Sequence, residues 1–199
     1  DPQTIHAHTM PGAASEQLLQ NTVTLTLSVE SVTNTLVATV TLANTGAGHH
    51  VPTDHPGRHM ILTITATDVQ GQHLPQVGGS VVPEWGGSEA GMAGEAFAKV
   101  LQDAITGAYP VVSYWKQSFI LSDNRIPALG KNTSTYIFAA PSGGGPITIT
   151  AELRFRRLFQ AEMDARGWDT PDIVMETAEL TFPVASSWRV YLPLMLYER

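Results

Sequence analysis

The chain has 199 residues, 43% of them hydrophobic and 15% charged, enough apolar material for the core of one domain and too little charge for a disordered segment. A formal net charge of −7, with eleven Lys and Arg residues thinly spread, argues against a nucleic-acid groove, and the apolar runs are too short to form a transmembrane helix. The absence of cysteine excludes disulfides, thioether-linked haem within the chain, thiolate zinc sites and cysteine nucleophiles.

Residues 1–20 read as an irregular N-terminal arm, and 21–185 as one β domain. Val23, Leu25, Leu27 and Val29 alternate with Thr and Ser, and Leu36, Ala38, Val40 and Leu42 repeat the pattern after a turn at Thr33-Asn34-Thr35. Period 2 places one face of each strand inward and the other in water, so these two strands read as a hairpin. A long loop, 43–58, leads to a strand over 59–68 with Met60, Leu62, Ile64 and Ala66 inward. Residues 75–115 are glycine-rich and read mostly as loops. Strands return at 115–122, 133–140 and 147–155. Residues 156–166 predict the one good helix, closed by Gly167 as a C-terminal cap. A strand over 172–184 precedes a tail, 186–199. These elements predict an all-β fold: an antiparallel, Ig-like β-sandwich with long loops and one short helix near 156–166.

Four of the seven histidines, His49, His50, His55 and His59, fall within the 43–59 segment together with Asp54. Imidazole and carboxylate suit a divalent metal, and His55 and His59 are four apart across a Pro-Gly turn, so their rings could converge, with Asp54 or His49 as a third ligand. The adjacent His49 and His50 diverge if extended, so at most one shares a site. A second reading stands beside the metal site: in a tight loop framed by Gly46, Gly48, Pro52, Pro56 and Gly57, histidines serve as hydrogen-bonding partners of the backbone. Arg58 and Asp123 each sit beside a strand end, and a guanidinium–carboxylate pair between them would fasten the loop to the sheet. Asp164, Asp169 and Asp172 read as helix-capping, solvated residues. Neither a G-x-S-x-G elbow nor a Walker loop is present, and an enzyme is the less favoured class.

Asn44-Thr45-Gly46-Ala47-Gly48-His49, then Pro52-Thr53 and Arg58, are followed in order by Phe97-Ala98-Lys99-Val100-Leu101, Tyr114-Trp115, Ser122-Asp123-Asn124-Arg125-Ile126-Pro127, Arg156-Arg157 and Trp168 … Pro171-Asp172. This series resembles the C-terminal non-haem domain of bacterial multihaem c-type cytochromes over residues 4–182, with Asp54 standing where that family often has glycine. The resemblance implies an extracytoplasmic accessory or interaction domain of an electron-transfer cytochrome. Its partners would be an upstream haem module of the same polypeptide and other redox proteins; the haem c would lie in that module, with none bound covalently here. Ile5-His6-Ala7-His8-Thr9-Met10 looks like the segment after a last haem motif, which makes His6 or His8 an axial ligand to that haem. Asp1 as first residue is read as the start of a processed form or an excised domain. A stand-alone metal-binding module using His49, Asp54, His55 and His59 is the alternative.

With no cysteine to form a thioether, the isolated chain is expected to purify without a Soret band and without reversible redox activity. Visible spectroscopy of the purified protein, oxidised and dithionite-reduced, checks this; a persistent, reducible Soret band contradicts it.

Overall fold

The structure, a computed structural model, describes residue 12 and residues 15–53, 55–141 and 144–184. Strands β1 (Val23–Val32) and β2 (Thr35–Asn44) form the expected hairpin, and β2 buries every second residue along its whole length. β3 (His59–Thr67), β4 (Gln76–Gly78), β5 (Gly94–Phe97), β6 (Lys99–Asp103), β7 (Ser118–Asp123), β8 (Lys131–Ala139), β9 (Gly145–Arg156) and β10 (Ile173–Val184) follow. One sheet runs β1-β2-β8-β4, the second β10-β9-β3-β5, and β6-β7 form a separate ribbon. The pairs are antiparallel throughout. Leu36, Val40, Leu42 and Phe138 from the first sheet meet Met60, Leu62, Ile64, Ile149 and Leu153 from the second in one apolar core. Two layers with one inward face each make the β-sandwich that the alternation predicts.

Three local expectations change. The arm is not irregular to its end: Glu16–Gln20 form a short helix, α1, started by the Ser15 hydroxyl accepting from the Leu18 N–H, and Leu19 enters the sandwich core. The glycine-rich stretch 75–115 contains β4, β5 and β6 and a 3-10 segment, Glu84–Glu89. The helix expected at 156–166 begins later: Arg156 is the last residue of β9, paired opposite His59 of β3, and α2 is Gln160–Arg166. Ladder pairing with β3 overrides the helical tendency of the sequence at 156. Gly167 caps α2 as expected, at φ 64° in the left-handed region.

β3 is buried on both faces. Met60, Leu62 and Ile64 point into the sandwich, while His59 and Ile61 lie on the outer face of the second sheet. That outer face is covered by Trp85 of the 3-10 segment and by Phe159 at the start of α2. The covering layer is tied down by Arg156, which is 3% exposed. Its Nε and Nη2 donate to the two carboxylate oxygens of Asp172 at 2.8 and 2.7 Å, Nη2 also to Glu89 at 2.6 Å, and Nη1 to the Gly86 carbonyl at 2.7 Å. Arg154 adds a 3.3 Å bond to the other oxygen of Glu89. Burial disfavours the Arg156 cation, but the hydrogen bonds it donates to Asp172 and Glu89 outweigh this and raise its pKa. Burial likewise pushes Glu89 up, and the bonds from Ser88 and Arg156 bring it below its ordinary value. Asp172, expected as a solvated turn residue, is half of this buried lock.

Removing one partner of a buried, hydrogen-bonded ion pair strands the others. Arg156→Met is therefore expected to cost about 3–5 kcal/mol of stability. Arg125→Met, which breaks a more exposed pair with Asp123, is expected to cost under about 1 kcal/mol. Urea denaturation of both variants at neutral pH checks the ordering.

Candidate functional site

The 43–59 loop is held by an amide. Asn44, fully buried at the end of β2, donates through Nδ2 to the carbonyls of His49, Ile126 and Pro127 at 2.8, 3.2 and 3.1 Å, and its Oδ1 accepts the Ala47 N–H at 3.1 Å. Gly46 lies so close to the Asn21 carbonyl that a Cβ there would fall 1.9 Å from its oxygen. Val51 and Ile126 pair through reciprocal backbone bonds. Asn124 performs a matching task, accepting the Ala98 N–H at 2.9 Å and donating to the Ala96 carbonyl at 2.7 Å. These asparagines of the Asn-Thr-Gly and Ser-Asp-Asn-Arg motifs serve as backbone staples.

The histidines of the loop are occupied by backbone. Nδ1 of His55 accepts the Gly57 N–H at 3.0 Å, and Nδ1 of His59 donates to the Gly57 carbonyl at 2.9 Å. Both rings thus meet, through Nδ1, the peptide groups of one residue. His49 is exposed, its Nδ1 2.9 Å from the His50 carbonyl. Among the described residues no group of three His, Cys, Asp or Glu side chains could hold a metal ion. Asp54, His6 and His8 lie outside the described residues. Of the two residues expected to pair, Asp123 is gripped by Arg125 through bonds of 2.7 and 2.6 Å, two residues away at the same strand end. Those bonds hold the Asp123 carboxyl below its usual range. Arg58 instead donates to the Thr53 carbonyl at 3.4 Å.

His59 is fully buried, stacked on Phe159 with ring centroids 4.9 Å apart and edge-on to Trp85 at 5.7 Å. With Nδ1–H given to Gly57, Nε2 carries the lone pair, and it meets no hydrogen-bond partner among the described residues. Desolvation lowers the His59 pKa from 6.5 to about 4, so the ring is neutral at pH 7.

Outside this buried layer a cavity of about 650 Å³ opens between the 55–58 loop, residues 112–115 and the flanks of α2. Val112, Leu158 and Met163 are buried and form its floor. Gly57 lets the loop approach that floor: a Cβ there would come within 2.5 Å of Leu158 Cδ1. His55, Arg58, Arg157, Arg166, Tyr114, Trp115 and Trp168 complete the walls, and no described lining residue is acidic. His55 meets the edge of Tyr114 at 5.3 Å, and the Arg166 guanidinium lies 5.8 Å from the centre of the Trp168 ring. Trp115 is 81% exposed and Tyr114 70%. This groove was not foreseen as a site. Its one local signal was Tyr114-Trp115 in an irregular segment, where bulky aromatics have no strand face to bury them. The lining chemistry is that of binding: cations and flat apolar faces.

The sequence matches no protein-family model and no curated protein. Among solved structures, a penta-heme cytochrome c552 from Thermochromatium tepidum resembles 88% of this chain at a TM-score of 0.69 and 20% identity, over 43% of its own chain. The likeness is one of fold, and this chain spans less than half the length of that cytochrome. A PapD-like domain of human CEP192 aligns at a TM-score of 0.32 and 10% identity, covering 92% of this chain and 94% of that one.

The burial of His59 has a consequence for acid stability. Its folded pKa is about 4 and its unfolded pKa about 6.5, so between these values the unfolded chain binds the extra proton. The contribution is complete above pH 6.5 and is lost as pH falls to 4, about 3 kcal/mol in all. Glu89, held below its ordinary value, loses its contribution at still lower pH. Urea unfolding at pH 7 and pH 4.5 is expected to show a smaller acid loss in His59→Phe than in the parent chain; equal losses would show that His59 titrates normally.

Proposed function

We propose that this chain is the extracytoplasmic, haem-free β domain of a multihaem electron-transfer cytochrome. It would pack against a haem module of the same polypeptide and present a surface to other redox proteins. The observation that carries this reading is the fold likeness to the penta-heme cytochrome over 88% of this chain. The ordered series of motifs from Asn44 to Asp172 supports it. So does the behaviour of those motifs: Asn44, Asn124 and Arg156 build a rigid frame and do no chemistry themselves. In this reading His6 or His8 supplies an axial imidazole to a haem held before Asp1. No helix among the described residues is long and apolar enough to cross a membrane, which fits a domain that works beside one or away from it.

The complete reading frame tests the proposal. It is expected to encode C-x-x-C-H motifs ahead of Asp1, the last of them close before His6. A secretion signal running directly into Asp1, with no such motif anywhere in the frame, would overturn it.

A further inference from the structure

We propose that the groove between the 55–58 loop, residues 112–115 and α2 binds a planar aromatic anion, a flat conjugated molecule carrying carboxylate or phosphate groups. The protein as a whole is acidic, at −7, yet Arg58, Arg157 and Arg166 converge on this one cavity. Lys99 lines a notch that shares His55 and Arg58 with it, while Arg125 in the same notch is paired with Asp123. Arg157 is exposed and forms no ion pair with any described residue. Arg166 is held in place by Glu162 and by the Trp168 ring. Guanidinium forks match the paired oxygens of carboxylate and phosphate, so cations gathered this way select an anion by geometry as well as charge.

The second strand of the argument is shape. Tyr114, Trp115 and Trp168 leave large aromatic surfaces in water beside a floor of Val112, Leu158 and Met163. A simple inorganic anion would leave those surfaces unused. A wholly apolar ligand would bury the Arg157 guanidinium, which has no ion pair among the described residues, without compensation. A flat, negatively charged ring system uses both, stacking on indole or phenol while its acid group meets an arginine. The volume of about 650 Å³ lies in the range of small-molecule sites, roughly 300–1,000 Å³. The loop wall is set by local bonds, with His55 fixed on the Gly57 N–H and Gly57 seated against Leu158.

Isothermal titration calorimetry of this chain separates the two parts of the claim. FMN supplies a flat ring system with a phosphate; riboflavin is the same ring system without it; inorganic phosphate is the anion alone. FMN is expected to bind at one site per chain, at least about tenfold more tightly than either control, and to weaken as salt rises. Arg157→Gln and Trp115→Ala alter exposed side chains, and circular dichroism checks that both variants fold. Each is expected to weaken FMN binding by about tenfold, the first by removing charge and the second by removing a stacking face. Absence of saturable FMN binding, riboflavin binding as tightly as FMN, or FMN affinity unchanged in both folded variants would overturn the proposal. None of these outcomes bears on whether C-x-x-C-H motifs precede Asp1.

Discussion

The guanidinium of Arg156 joins three segments that are far apart in the chain: the 3-10 segment through Gly86 and Glu89, the end of β9, and the approach to β10 through Asp172. A buried cation is costly unless every donor finds an acceptor, and here two carboxylates and a carbonyl meet it. With the lock in place, Trp85 and Phe159 close over the outer face of the second sheet and His59 loses contact with water. The same closure holds the segment leading into α2 against the sheet, and α2 forms one wall of the groove. Stability of the covering layer and geometry of the groove therefore rest on one set of hydrogen bonds.

Histidine has two uses in a tight loop, as a ligand and as a partner for the backbone, and they compete for the same ring nitrogens. At Gly57 the backbone prevails. His55 takes the N–H and His59 the carbonyl, and each bond satisfies a polar group in a buried residue. The exposed His49 lies beyond this arrangement. Through these two Nδ1 contacts His55 and His59 brace the loop from inside, next to the arginines and aromatics of the groove.

The asparagines of the motif series serve the backbone. Asn44 satisfies backbone groups of two segments, 47–49 and 126–127, and Asn124 those of Ala96 and Ala98, and apolar replacements could not. A β-sandwich fastened in this way carries its long loops on hydrogen-bonded anchor points. Function then depends on what the loop surfaces present, and here they present guanidinium groups and exposed indoles.

The strands were legible in the amino-acid order because side chains on a strand alternate between two faces, so the inward residues of β2 and β9 announce themselves at every second position. The Gly167 cap was legible for a similar reason, since a left-handed residue closing a helix is a local requirement. The lack of cysteine set the limits on haem and zinc chemistry without any coordinates. Pairings between distant residues carry no such local mark. Arg156 lies 67 residues from Glu89, and Asp123 meets Arg125 only through the geometry of a strand end. The groove draws its walls from three separate parts of the chain, so no spacing within any one of them encodes it. Alternation and capping follow from the backbone geometry of neighbouring residues, whereas charge partners and cavities exist only once sheet register and packing have set which surfaces meet.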